Sequence, residues 1–204
     1  MFSSLLALLA VTSIALASPL APRTGAWCEG LGITYDTSYN FTLAALNTTL
    51  ANANSTGAPL VPGQNGATDG AEYEVLSTWA TYPYLDFPTM SLVDGVLTPN
   101  SANGVPSYDM QAIEGQPLQF FTTSESSSGP SAQIYCAIVD TDPDFQGLPL
   151  LAVNGEADNF ALCMSGDESY AQNNVVWRPT ADNNGMYLYE TCYNVTLQLV
   201  GGSS

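Results

Sequence analysis

Three short runs set carboxylates beside aromatic rings: Glu72-Tyr73-Glu74, Tyr84-Leu85-Asp86-Phe87 and Tyr189-Glu190. Carboxylates so placed can divide acid–base work, one protonating a leaving group while another serves as base or nucleophile. With 19 Asp and Glu in the chain, some pair always looks suitable, and the ordinary reading of each is a solvated strand or loop side chain. No catalytic residue is assigned on this basis. The densest acidic run, Asp140-Thr141-Asp142-Pro143-Asp144, has the alternating oxygen ligands of a calcium loop but not its register. Gly147 is displaced, and Leu151 stands where a bidentate Glu is needed, so the run reads as a turn. Arg178, between Trp177 and Pro179, reads as half of an internal ion pair or cation–π contact ahead of an anchor for a ligand carboxylate. Trp27, Trp79, Trp177 and 11 tyrosines could stack on sugar rings, but read first as core and edge residues.

The missing residue types exclude more than the present ones suggest. The chain has no histidine, which removes Ser-His-Asp and Cys-His hydrolases and histidine-ligated copper and zinc enzymes. Neither a Gly-x-Gly-x-x-Gly run nor a phosphate loop occurs. No cofactor and no metal ligand is expected.

Charge narrows the partners. Arg23 and Arg178 are the only fixed cations, there is no lysine, and the formal net charge is −17. A chain so acidic repels phosphate backbones and anionic lipid surfaces, so neither nucleic acid nor membrane is an expected partner. Solubility and a preference for mildly acidic pH follow, because partial protonation relieves the self-repulsion.

The first residues read as a secretory leader. An apolar run from Leu5 to Leu16 precedes small residues at Ala15 and Ala17, which predicts a signal peptide over 1–17. A second cut after Arg23 would make 18–23 a short propeptide and leave 24–204 as one secreted β domain. The closing Val200-Gly201-Gly202-Ser203-Ser204 is too short and polar for a lipid-anchor signal, so the expected product is extracellular.

Secretion sets the reading of the cysteines. Cys28, Cys136, Cys163 and Cys192 form an even set, which in an oxidising compartment predicts two disulfides. Three pairings exist; the preferred one joins Cys28 to Cys192 and Cys136 to Cys163. Four sequons fit the same compartment, at Asn40, Asn47, Asn54 and Asn194, and the first three mark a glycosylated edge unsuited to be a binding face.

The elements that must position any site read as strands. Hydrophobic residues make up 46% of the chain and charged ones 10%, too apolar for disorder and too weakly charged for a coiled coil. Strand patterns recur at 39–46, 73–79, 90–93, 108–113, 118–123, 133–139, 148–153, 160–164, 174–177, 186–190 and 194–200. Turn chemistry separates them, as at Asp94-Gly95, Asn154-Gly155 and Asn183-Asn184-Gly185. In the last, Val195, Leu197 and Leu199 face the core, while strict alternation would set Cys192 on the wet side. A bulge near Tyr193 or a disulfide on the outer face would resolve that conflict. Many short strands bounded by Gly and Pro predict an all-β, antiparallel sandwich or jelly roll with a single core.

One resemblance bears on function. Trp27-Cys28-Glu29-Gly30-Leu31-Gly32, Tyr35-Asp36-Thr37-Ser38-Tyr39-Asn40-Phe41-Thr42, Asn54-Ser55-Thr56-Gly57-Ala58-Pro59-Leu60 and Thr191-Cys192-Tyr193-Asn194-Val195-Thr196-Leu197 together resemble small secreted fungal glycoproteins of the laccase accessory-subunit type. The likeness spans nearly the whole mature chain and contains no catalytic motif. It implies a non-catalytic protein without an active site of its own, which binds and stabilises a secreted partner such as a copper oxidase large subunit. The alternatives are a carbohydrate-binding cell-wall protein and a carboxylate-dependent secreted hydrolase.

Overall fold

Short segments of alternating apolar and polar side chains, cut by Gly, Asn and Asp turns, can satisfy their backbones only by pairing with one another. The computed structural model describes residues 25–124, 131–139 and 147–203, and among these it contains strands and two short 3-10 turns but no α-helix. In chain order the strands are β1 Thr34–Tyr35, β2 Ser38–Asn47, β3 Ala58–Thr68, β4 Ala71–Thr78, β5 Thr89–Val93, β6 Val96–Asn100 and β7 Ser107–Asp109. They continue as β8 Gln116–Pro117, β9 Gln119–Thr123, β10 Tyr135–Ile138, β11 Leu150–Val153, β12 Phe160–Met164, β13 Asn173–Trp177 and β14 Tyr193–Ser203.

All 14 strands join in one sheet. Its path runs β14-β12-β13-β4-β3-β2, and β2 returns to β14 through a long antiparallel register from Val195↔Asn47 to Ser203↔Tyr39. The sheet therefore closes into a barrel, which leaves its central strands no free edge. The all-β antiparallel expectation holds, but the two facing sheets of a sandwich or jelly roll are not what this pairing forms. Each long strand changes neighbour part-way, so the barrel flares. β14 pairs with β12 at Tyr193 to Val195 and with β11 at Gln198. On its side away from β3, β4 pairs with β9 along Ala71 to Val75 and with β13 at Ser77.

The interior is apolar, with Phe41, Leu43, Leu76, Phe120, Phe160 and Leu197 all fully buried. A wholly buried carboxyl lies among these strands. Asp109, wholly buried, accepts the backbone N–H of Leu97 at 3.2 Å and of Ala132 at 3.0 Å, one on each oxygen. Burial pushes its pKa up to about 7, against the lowering effect of those hydrogen bonds.

Both disulfides lie outside the barrel wall, and their pairing corrects the expected one. Cys28 joins Cys136 and Cys163 joins Cys192. Cys136 lies on β10, which pairs with β1 and β11, and Cys163 on β12, which pairs with β13 and β14, so the two are not on neighbouring strands. Each bridge instead packs in its own small outer cluster: Cys28 and Cys136 with Ala152 and Trp27, Cys163 and Cys192 with Ala161, Val176 and Tyr187. Cys192 precedes β14, after the 3-10 turn Tyr189–Thr191, so its outward direction needs no bulge. Two disulfides fit an oxidising compartment.

The strand predictions hold for most of the chain, with Phe160–Met164 matched end to end. The expected strand at 186–190 is instead a turn that enters Tyr189–Thr191. Among the strands not foreseen is β3, whose Pro59, Pro62, Gly63 and Gly66 argue against pairing in isolation. It forms because both neighbours hold it, β2 over Ala58 to Leu60 and β4 over Leu60 to Thr68. The turn into it requires Gly57, whose φ is +88° and whose added Cβ would lie 2.3 Å from the Ala45 carbonyl oxygen. Among the described residues no helix is long and apolar enough to cross a membrane. The signal-peptide and propeptide expectations, and the Asp140–Asp144 turn, lie outside the described residues.

Candidate functional site

Alternation along β4 carries the inner face of the barrel from apolar to acidic. Leu76 belongs to the core; two residues back Glu74 is 5% exposed, and two further back Glu72 is open to solvent. On β9 the same change runs from Phe120, fully buried, to Thr122, and the β4–β9 register sets Glu74 opposite Phe120 and Glu72 opposite Thr122. The diagonal contact is polar: the Thr122 hydroxyl donates to Glu74 Oε2 at 2.7 Å.

The segment after β4 closes over this end of the barrel. It is tied down by Trp79 N–H donating to the Pro59 carbonyl at 2.8 Å and by Thr81 and Tyr82 N–H donating to the Thr78 carbonyl, both at 3.1 Å. Further on, the Asp86 carbonyl accepts Ala102 N–H at 2.8 Å. These bonds bring Tyr82 and Asp86 over Glu72 and Glu74, and β3, β4, β9 and the segments at 82–87 and 101–105 enclose a polar cleft of about 660 Å³. Two of the three carboxylate–aromatic runs singled out in the sequence thus meet in one concave site. The third does not, because Tyr189 and Glu190 lie in the exposed turn before Cys192.

Electrostatics separates Glu74 from its neighbours. Loss of water around its carboxyl pushes the pKa up to about 7; the Thr122 hydrogen bond opposes this, and the nearby charges of Glu72 and Asp86 add to it. Near neutral pH Glu74 therefore carries a proton for much of the time, beside two exposed carboxyl groups that face water. A buried carboxylic acid next to a solvated carboxylate is the usual preparation for proton transfer. Among the described residues no group of three or more His, Cys, Asp or Glu is arranged to hold a metal ion.

A second cavity of about 290 Å³ adjoins the cleft, and Pro62 and Phe87 line both. It occupies the fork where β3 and β5 part along the same side of β2, after Phe41↔Met90 and before Leu43↔Leu60. Trp79 and Leu85 contribute its outer wall.

The remaining candidates have structural roles or lie apart. Arg178 donates from Nε to Glu156 Oε2 at 2.9 Å, makes a second contact with Glu156 through Nη2, and reaches Glu114 Oε2 at 3.4 Å. Its guanidinium stands 5.2 Å from the Trp177 ring, so the internal ion pair and cation–π contact are both present. These hydrogen bonds hold the Glu156 carboxyl below its ordinary value. Trp177, 8% exposed, is a core residue and cannot be a sugar platform, whereas Trp79 can. The sequon residues Asn40, Asn54 and Asn194 are exposed and Asn47 is half-buried; none lines the cleft. Thr122 and Tyr82 were missed as site residues, since neither has a sequence signal apart from the fold.

Scans for matching protein families, and comparisons with curated proteins and with solved structures, find no match to this chain.

Proposed function

We propose that the cleft at the barrel mouth binds an uncharged or cationic glycan outside the cell and hydrolyses one of its glycosidic bonds, with Glu74 as acid and Glu72 as base. The observation that carries this reading is the buried, Thr122-bonded Glu74 carboxyl facing a polar cleft beside a solvated Glu72. Two positions apart on one strand face, the two residues are separated by about 7 Å along the chain. We read the pair as inverting, with a water molecule between the two carboxyl groups.

In the reaction the Glu74 proton passes to the glycosidic oxygen as the bond from that oxygen to the anomeric carbon breaks. A water molecule on the opposite face of the sugar forms the new carbon–oxygen bond and gives its proton to Glu72. Solvent then returns a proton to Glu74 and takes one from Glu72, so the net change is hydrolysis. Clustered carboxylates exclude polyanionic glycans, and the acidic surface places the working range below neutral pH.

The test is turnover of neutral and amino-sugar reporter glycosides at pH 4 to 7 by the wild type and by Glu74→Gln, which keeps the Thr122 hydrogen bond but has no acidic proton. A loss of 100-fold or more in kcat with unchanged binding supports the assignment. Equal rates would end it.

A second reading, glycan binding without turnover, is favoured by Tyr82 and Tyr84, whose rings lie 4.8 Å apart beside the cleft, with Tyr84 59% exposed. Saturable binding by both proteins with no product would select it. Association with a copper oxidase large subunit rests on the sequence resemblance alone. It is tested by native co-purification and by the thermal half-life of the oxidase with and without this chain.

A further inference from the structure

The cavity beside the cleft is built differently from it. Its walls are Leu60, Val61, Phe87 and Met90, closed on the outside by Trp79 and Leu85. Three prolines, Pro59, Pro62 and Pro88, also line it, and Leu43 with two polar side chains, Thr42 and Thr89, completes the lining. Proline carries no N–H and holds its φ fixed, so this part of the wall offers an apolar ligand little unmet backbone polarity and keeps its shape when empty. The cavity exists because β3 and β5 diverge along β2, leaving a fork that the segment after Trp79 covers without filling.

We propose that this cavity is a subsite for an uncharged aromatic group, so that the molecule bound across both cavities is an aryl-bearing glycan with its ring in the Trp79 pocket and its sugar over Glu72 and Glu74. The link to the sugar rests on the glycan reading of the cleft; the aromatic site itself does not. Size supports the choice: an apolar cavity of about 150 Å³ holds benzene, so about 290 Å³ accommodates two fused rings. Charge supports it as well, since the one Lys or Arg among the described residues, Arg178, is committed to Glu156 and Glu114, and the charged side chains that line the adjoining cleft are the carboxyl groups of Glu72, Glu74 and Asp86. Continuity is the third argument. Pro62 and Phe87 line both cavities, so a ligand can pass from one to the other around them. Leu85, 59% exposed, gives the apolar lip that a ring meets first.

The experiment titrates the neutral fluorophore N-phenyl-1-naphthylamine, which has no glycosidic bond, into the wild type, Leu85→Glu, Trp79→Ala and Glu74→Gln. Saturable, blue-shifted emission is expected for the wild type and for Glu74→Gln. The Kd should rise at least tenfold in Leu85→Glu, a substitution at an exposed lip that leaves the fold intact, and in Trp79→Ala. Absence of saturable binding by the wild type, or equal affinity in the two lip variants, overturns the subsite. Its connection to the cleft is read from naphthyl and methyl glycosides of the same sugar, whose binding to Glu74→Gln should differ at least tenfold in favour of the aryl compound; equal Kd values overturn the connection. If the fluorophore binds as expected while no glycoside is hydrolysed, the catalytic reading of the cleft fails and the aromatic subsite stands.

Discussion

Thr122 and Glu74 face one another diagonally across the β4–β9 pair, the hydroxyl donating to the carboxyl at 2.7 Å, with both side chains largely buried in the wall of the cleft. The contact holds the Glu74 side chain toward the cleft and limits how far burial can raise its pKa. Thr122→Val keeps the shape and removes the donor. The Glu74 pKa should then rise above about 7, measured as a shift of its side-chain carbon resonance with pH, and stability should fall by about 1 kcal/mol for the lost hydrogen bond. An unmoved titration would mean that the hydroxyl bonds elsewhere in solution.

Among the described residues two buried carboxyl groups bear on the pH dependence of stability. Glu74 and Asp109 both have folded pKa values of about 7, well above the ordinary values near 4 of an unfolded chain. Between those limits the folded protein binds more protons than the unfolded one, so stability falls as pH rises from about 4 to about 7 and levels off above it. Glu156 works in the opposite sense, and its contribution is lost only at lower pH. Tm measured by calorimetry at low ionic strength should decline across that interval, and Glu74→Gln should flatten the slope. A Tm that rises from pH 4.5 to 7 would contradict the burial of both groups.

Asp109 itself holds β6 to the segment before β10 through Leu97 and Ala132. Asp109→Asn replaces one acceptor with an NH2 group that must face a backbone N–H, leaving a buried donor unmet. A loss of about 1–3 kcal/mol is expected, read from urea denaturation, with no change in cleft binding.

The disulfides differ in the span they close. Cys28–Cys136 has a sequence separation of 108 and Cys163–Cys192 one of 29, so on loop entropy their removal should cost about 5 and about 3.5 kcal/mol respectively. Non-reducing peptide mapping should recover these two pairs, and the double Cys→Ala variants should lose stability in that order. Recovery of a Cys136–Cys163 peptide would contradict this pairing.

Trp79 and Trp177 should separate folding from binding. Trp177→Ala empties a buried site and should cost about 3–5 kcal/mol. Trp79→Ala should leave the midpoint of unfolding nearly unchanged and weaken aromatic ligands. Ligand titration and denaturation of the same two samples check both halves of the statement.

Local signals made much of this protein readable before folding. Alternation and turn residues located most strands, as at Phe160–Met164, because side-chain period and turn geometry are properties of a few adjacent residues. The carboxylate–aromatic runs at 72–74 and 84–87 were visible as candidates for the same reason. The sequence by itself determined the strand-rich class, the even cysteine set, the lack of any imidazole and the excess of negative charge. Tertiary structure alone decided which cysteines pair, that the sheet closes from β14 to β2, that the Pro- and Gly-rich segment 58–68 is a strand, and that Glu72, Glu74, Asp86 and Thr122 share one cleft. Each of these depends on the order of strands across the sheet, and that order is set by how distant segments bury their apolar faces together. The proton held by Glu74 has the same origin, since its pKa is raised by water excluded through residues far from it in the chain.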